Sequence, residues 1–98
     1  MIGLTQTLAG EWGQRGIRVN CICPGAIEGD RIERVMRARA QSLGQPYEAV
    51  REGFLSGAAM RRMATEEEVA RVALFIVGEA SAGVTGQTIN VDCGSNMN

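Results

Sequence analysis

The side chains that most often do chemistry are scarce in this sequence. It has no histidine and no lysine, one tyrosine, Tyr47, and three cysteines, Cys21, Cys23 and Cys93; all ten basic residues are arginine. Arginine stays protonated at biological pH and is a poor proton-transfer group. General acid–base work would fall to carboxylates, Tyr47 or the thiols. The odd cysteine count argues against a disulfide framework. Without histidine, a zinc site at Cys21 and Cys23 would need an unusual ligand set. Small buried apolar packing is the expected role of all three cysteines.

What remains is backbone chemistry. In Ile17-Arg18-Val19-Asn20-Cys21-Ile22-Cys23-Pro24-Gly25, residues 17, 19, 21 and 23 alternate onto one face, so residues 17–23 read as a strand. Arg18 and Asn20 on the other face give way to Ile22, and burial is expected to deepen toward the carboxyl end. Pro24 withdraws a donor and Gly25 opens backbone angles closed to other residues, which ends the strand. In open α/β folds that carboxyl edge is where ligands bind. Gly10, Gly13 and Gly16 mimic a dinucleotide fingerprint, but they precede a strand where the motif must follow one. Arg31, Arg34, Arg37 and Arg39 make one helix basic. That row suits either phosphate or, with Glu33 pairing to Arg37 four residues on, a solvated face.

These groups are positioned by alternating helices and strands. Residues 1–12 read as a helix with Met1, Leu4, Leu8 and Trp12 inward, stopped by Gly13 and Gly16. Asp30 and Glu33 resemble a capping box opening a second helix to Gly44. Pro46 opens a third through Leu55, with Tyr47, Val50 and Phe54 on one face. Residues 30–63 suit either a movable cover over a pocket or a plain connector. Thr65-Glu66-Glu67-Glu68 is a capping box at the start of a last helix. Apolar nearly all round, that helix is expected to be buried on several sides. Residues 87–93 read as a second strand, parallel to the first through a crossover, which brings Gly25 and Gly94 to the same edge.

Ninety-eight residues allow one small domain, and two strands cannot cover both faces of a sheet. A net charge of −1 gives no electrostatic footprint for nucleic acid or an anionic membrane. The longest apolar run, residues 72–77, is too short to span a bilayer, and no secretory signal is visible. The expected setting is the cytoplasm, with no nucleic-acid or membrane partner.

Several stretches in order resemble the carboxy-terminal part of short-chain dehydrogenases/reductases. They are Ile2-Gly3-Leu4-Thr5, Leu8-Ala9-x-Glu11, Gly16-Ile17-Arg18-Val19-Asn20-x-Ile22-x-Pro24-Gly25, Arg62-Met63, Glu67-Glu68-Val69-Ala70, Leu74-Phe75, and Thr85-Gly86-Gln87 through Val91-Asp92. The resemblance implies an α/β fold, here the carboxy-terminal part of a Rossmann-type, doubly wound parallel sheet, with residues 30–63 as its helical substrate-side insertion. It implies NAD or NADP as cofactor and hydride transfer to or from an alcohol or carbonyl.

By the same resemblance, the glycine-rich loop, the catalytic serine and the Tyr-x-x-x-Lys pair would lie upstream of Met1. No catalytic residue and no metal ligand is then expected in these 98 residues. Tyr47-x-x-x-Arg51 is a decoy, because arginine cannot replace the lysine that lowers the tyrosine's pKa. The implied cofactor-binding residues are Pro24, Gly25, Ala26, Ile27 and Gly29. Gly29 stands where many members carry a threonine, Glu66 where proline is frequent, and Cys93 where glycine is common. The chain is thus expected to be part of an oxidoreductase, inactive alone and homo-oligomeric when whole. The alternative is a non-catalytic interaction or oligomerisation module of the same fold.

Overall fold

The structure is a computed structural model and describes residues 2–96. In order it contains α1 (Ile2–Trp12), β1 (Cys21–Pro24), α2 (Asp30–Leu43), α3 (Tyr47–Ser56), α4 (Glu66–Val77) and β2 (Thr88–Val91). The two strands form one parallel sheet, with Cys21 opposite Thr88 and Pro24 opposite Val91. This is the α/β arrangement expected. The expected first residue of α1, Met1, lies outside the described residues.

Both strands are shorter than their alternation suggests. Residues 17–20 lie alongside the second strand's approach outside the regular ladder, joined by one main-chain bond, Gly86 N–H to the Val19 carbonyl (2.8 Å), and by side chains. The Thr85 hydroxyl accepts from the Val19 N–H (3.1 Å), and Asn20 gives an amide hydrogen to the Val84 carbonyl (3.0 Å) while accepting from the Gln87 N–H (3.1 Å). Regular pairing begins with Cys21 N–H to the Gln87 carbonyl at 2.9 Å. At the other end, Cys93 has φ of +56°, which breaks the strand after Val91. Asp92 caps the resulting turn by accepting from the N–H groups of Gly94 (3.0 Å) and Asn96 (3.1 Å).

Arg18 holds this arrangement from the opposite end. Its guanidinium donates to the carbonyls of Ile76 (2.8 Å), Gly78 (3.4 Å), Ser81 (2.8 Å) and Val84 (3.0 Å), and to the Ser81 hydroxyl (3.1 Å). Those carbonyls sit at or just beyond the negative end of α4, where a cation is favoured and the last carbonyls lack helical partners. Ser81 is buried, its hydroxyl 2.8 Å from the Phe75 and Ile76 carbonyls.

Helix ends follow local chemistry, with two corrections. Gly16 (φ +76°) and Gly44 (φ +65°) stop α1's extension and α2 in left-handed turns. Ile17 N–H reaches back to the Trp12 carbonyl and Gln45 N–H to that of Ala40, the long bond of a Schellman motif. The expected Asp30–Glu33 capping box is not made: Gly29 is the cap residue, Asp30 is already helical, and the Glu33 carboxylate binds Tyr47 and Arg51 instead. Pro46 is the cap of α3 rather than its first residue. The Thr65 box forms in full, Thr65 accepting from Glu68 N–H (3.1 Å) and Glu68 from Thr65 N–H (2.9 Å).

Burial departs most from the sequence. The main cluster is Met36 and Ala40 of α2, Val50 of α3 and Met63 from the segment after α3, with Tyr47 and Phe54 packed against it. From exposed Ile17 burial deepens to Cys21, as expected, but along β1 it then falls to exposed Pro24, where the strand opens into a cavity at its carboxyl end. On α1 the buried residues are Thr5 and Ala9, while Leu4 is 58% exposed. Short side chains let that face approach the Gly86 turn, where an added Cβ would lie 3.5 Å from that of Ala9. On α4 no residue is buried; Val69, Val72, Ala73 and Ile76 are half-buried, and Leu74 and Val77 are 69% and 77% exposed. Of the cysteines, only Cys21 is buried, and all three are free. The radius of gyration is 16.8 Å, against about 13 Å for a compact domain of this length.

Arg18→Lys is expected to cost about 2 kcal/mol or more, because an ammonium cannot reach this spread of carbonyls and leaves some unpaired. Urea unfolding followed by circular dichroism checks this; an unchanged midpoint would remove Arg18 from the role described.

Candidate functional site

At the sheet's carboxyl edge the chain leaves β1 through residues 25–29, which form the rim of a cavity of about 540 Å³. Pro24 and Gly25 start this rim under a steric constraint. A Cβ on Gly25 would lie 2.6 Å from the Cβ of Asp92 and 3.2 Å from its Cα, so only glycine fits against the end of β2. The Gly25 N–H continues the ladder to the Val91 carbonyl at 3.2 Å.

The next residues are fastened by a single parallel bridge. The Ala26 carbonyl accepts from Ala64 N–H (3.3 Å), and Glu28 N–H donates to the Ala64 carbonyl (2.9 Å). In a bridge of this pattern the residue between turns its own N–H and C=O to the opposite side. That residue is Ile27, and its backbone groups have no partner among the described residues. Unpaired donors and acceptors on a rigid rim are rare unless they face water or a ligand. Gly29 follows with φ of +149°, a conformation that favours glycine.

Of the five residues implied as cofactor-binding, Pro24, Gly25, Ile27 and Gly29 line this one cavity, with Val35 of α2 and Glu66 of α4 opposite. Ala26 does not line it; its side chain packs against the α2–α3 cluster. Glu66 was read in the sequence only as part of a helix cap and was not expected at this site, and neither was Val35, since only the folding of α4 and α2 around the rim brings them there. The outward backbone pair of Ile27 suits a carboxamide, which offers one donor and one acceptor side by side. Gly29 adds no side-chain hydrogen bond.

Two ion-pair groups buttress the rim. Arg51 of α3 reaches both Glu28 in the rim (3.8 Å) and Glu33 of α2 (3.4 Å). The Tyr47 hydroxyl donates to Glu33, and this bond raises the phenol's pKa above its ordinary value. Tyr47 and Arg51 therefore tie α3 to α2. Two of the four arginines in the basic row are engaged in the same way: Arg37 lies 4.4 Å over the Tyr47 ring and pairs with Glu33 at 4.0 Å, and Arg39 lies over Phe54 at 5.2 Å, while Arg31 lines the cavity. Behind Ala64, Arg62 grips Glu68 through two bonds of 2.7 Å each. That contact, with the Thr65 N–H, lowers the Glu68 carboxyl from 4.5 to about 2. On β1, the contact with Cys21 raises the Cys23 thiol's pKa.

Comparison with known proteins places these features in context. A sequence profile described as Enoyl-(Acyl carrier protein) reductase matches residues 1–96. Dehydrogenase/reductase SDR family member 6 of Xenopus laevis is 38% identical over 94 residues, covering 96% of this chain and 36% of that protein. Diacetyl reductase [(S)-acetoin forming] of Staphylococcus aureus is 38% identical over 92 residues, covering 94% of this chain and 36% of the relative. The chain thus spans about 36% of the length of these curated relatives. Among solved structures, sorbitol-6-phosphate 2-dehydrogenase SrlD from Erwinia amylovora superposes with a TM-score of 0.89 at 30% identity, over 99% of this chain and 38% of that one. An NAD⁺-bound xylitol dehydrogenase gives 0.82 at 28% identity, over 95% and 38%.

Because the folded-state pKa of Glu68 lies below its ordinary value, its contribution to stability is present above about pH 4.5 and is lost as pH falls toward about 2. Glu68→Gln is expected to be less stable than the parent at pH 7, with the difference closing over that window. Urea midpoints of both proteins at several pH values check this; a difference independent of pH would contradict it.

Proposed function

Because the chain belongs to the short-chain dehydrogenase/reductase family, we propose that residues 24–29 form the nicotinamide-side lip of an NAD(P)-dependent oxidoreductase acting on a small alcohol or carbonyl. The observation that carries this reading is the outward-facing backbone pair of Ile27 on a rim pinned by Gly25, Asp92 and Ala64. Bound NAD or NADP would supply or accept the hydride. Within this chain, the Ile27 N–H and C=O would hold the carboxamide, and Pro24 and Gly25 would set the height of the lip. Ala26 anchors the lip to Ala64, and Gly29 leaves the cofactor side open. Names among the relatives and neighbours, a diacetyl reductase and an NAD⁺-bound xylitol dehydrogenase, support this cofactor and substrate class.

The proton donor belongs to residues outside this chain, which has neither lysine nor histidine, and whose Tyr47 is committed to Glu33. The chain alone therefore does not turn over. Among the described residues no helix is long and apolar enough to cross a membrane. The setting proposed is the cytoplasm, without nucleic-acid or membrane partners. Purified chain is expected to show no sustained NADH or NADPH oxidation with diacetyl, while a form extended by the coding sequence before Met1 gains it. Sustained turnover by the 98-residue chain would overturn the proposal, as would an upstream sequence without an in-frame Tyr-x-x-x-Lys.

A second reading, an interaction or oligomerisation module, is favoured by the apolar side chains that α1 and α4 leave in solvent, Ile2, Leu4, Leu74, Phe75 and Val77. An unpaired outer edge of β1 adds to it. Light scattering is expected to give homo-oligomers at micromolar concentration, with Val77→Glu shifting the population toward monomer. A monomer at every concentration would count against this module.

A further inference from the structure

The first turn of α4 carries three carboxylates, and two of them have structural tasks. Glu67 pairs with Arg71 four residues on, and Glu68 closes the helix cap and grips Arg62. Glu66 has neither task. Among the described residues it makes no hydrogen bond or ion pair, and it lines the cavity opposite the lip. Helix stability does not account for it: the capping box is complete without it, and Glu67 and Glu68 already place negative charge at the helix's positive end.

The rest of the lining narrows what Glu66 can meet. Ile27, Ile32 and Val35 give the cavity apolar walls. Asp30 and Arg31, also without hydrogen-bond or ion-pair partners among the described residues, bring one charge of each sign. Glu28 is paired with Arg51 at 3.8 Å. Glu66 therefore leaves the uncommitted charge of the cavity negative, which disfavours an anionic substrate. A carboxylate only accepts, so it selects a donor. A hydroxyl group is such a donor, and its oxygen can still accept from a guanidinium. A ketone without a hydroxyl has nothing to donate.

We propose that Glu66 is a specificity-determining residue that accepts a hydrogen bond from a second hydroxyl of the substrate, so that the site takes uncharged diols and hydroxy-ketones over simple alcohols and ketones. This inference rests on residues 24–29 being the nicotinamide-side lip, which Glu66 faces across the cavity. A hydrogen bond to a charged acceptor corresponds to about tenfold or more in selectivity.

The test uses the form extended by the coding sequence before Met1 and two alcohols on the same carbon chain, 2,3-butanediol and 2-butanol. Each is oxidised at one carbinol, its hydride passing to NAD⁺ or NADP⁺ and its hydroxyl proton to solvent. The kcat/KM for the diol is expected to exceed that for the monoalcohol by about tenfold. In Glu66→Pro the ratio falls toward unity, with the loss carried by the diol's KM. Proline suits the first helical position, and Thr65 already has the extended backbone (ψ 157°) that a following proline requires, so the helix and its cap are retained. Calorimetric titration of the diol should show the same weakening without turnover. A ratio near unity in the parent, or an unchanged ratio in Glu66→Pro, overturns the inference and leaves the oxidoreductase reading standing. Oxidation of neither alcohol also overturns the inference, and absence of diacetyl turnover as well overturns that reading with it. If Glu66→Pro fails to fold by circular dichroism, Glu66→Ala is read against the same outcomes.

Discussion

The guanidinium of Arg18 sits where the end of α4, the buried Ser81 and the approach to β2 converge, and it donates to carbonyls of all three. A helix end leaves carbonyls without helical partners, and burying them unpaired is costly. Placing the one cation that can address several carbonyls in a plane meets that cost and uses the helix's negative end to hold the charge. The same contacts fix where residues 17–20 lie against residues 84–87, a stretch joined by one main-chain bond and otherwise by side-chain bonds. Since the sheet has only four paired positions, its register depends on this anchor and on Asn20 beside it.

Register in turn sets the lip. With Pro24 opposite Val91, Gly25 falls against Asp92, whose side chain is already committed to the turn after β2. The chain can only leave at the angle that glycine allows. From there one bridge to Ala64 suffices to face Ile27 outward. The site is therefore built from backbone placed by distant side chains, and no residue on it needs to be reactive.

Much of this was legible. Pro24-Gly25 marked the strand's end, the glycines at 16 and 44 marked helix stops, and Thr65-Glu66-Glu67-Glu68 marked the best-formed cap, because each of these signals is local. Parallel pairing followed from the helices between the strands. Burial was harder, because periodicity shows which faces are apolar and not which neighbour arrives. On α1 the large residues were expected inward, yet the small Thr5 and Ala9 make the close contact; on α4 an all-round apolar pattern meets packing on one side. Glu33 illustrates the limit of local rules: its position fits a capping box, but Tyr47 and Arg51, remote in sequence, take its carboxylate. The partners of Arg18 and the cavity's Glu66 and Val35 were likewise set by long-range folding.

The helical pair α2–α3 has its own cluster around Met36 and Met63, yet its base meets the sheet edge through main-chain bonds: Ala64 to Ala26 and Glu28, Ala59 to Gly94, and Met60 to Cys93. Main-chain bonds are indifferent to which side chain each residue carries. Apart from the Arg51–Glu28 pair, the packing of Ala26 on the cluster and the close approach of Ala59 to Gly94, the block behaves as a cassette plugged into a fixed socket. Its sequence can drift, and with it the shape presented over the cavity, while the geometry of the lip is inherited unchanged.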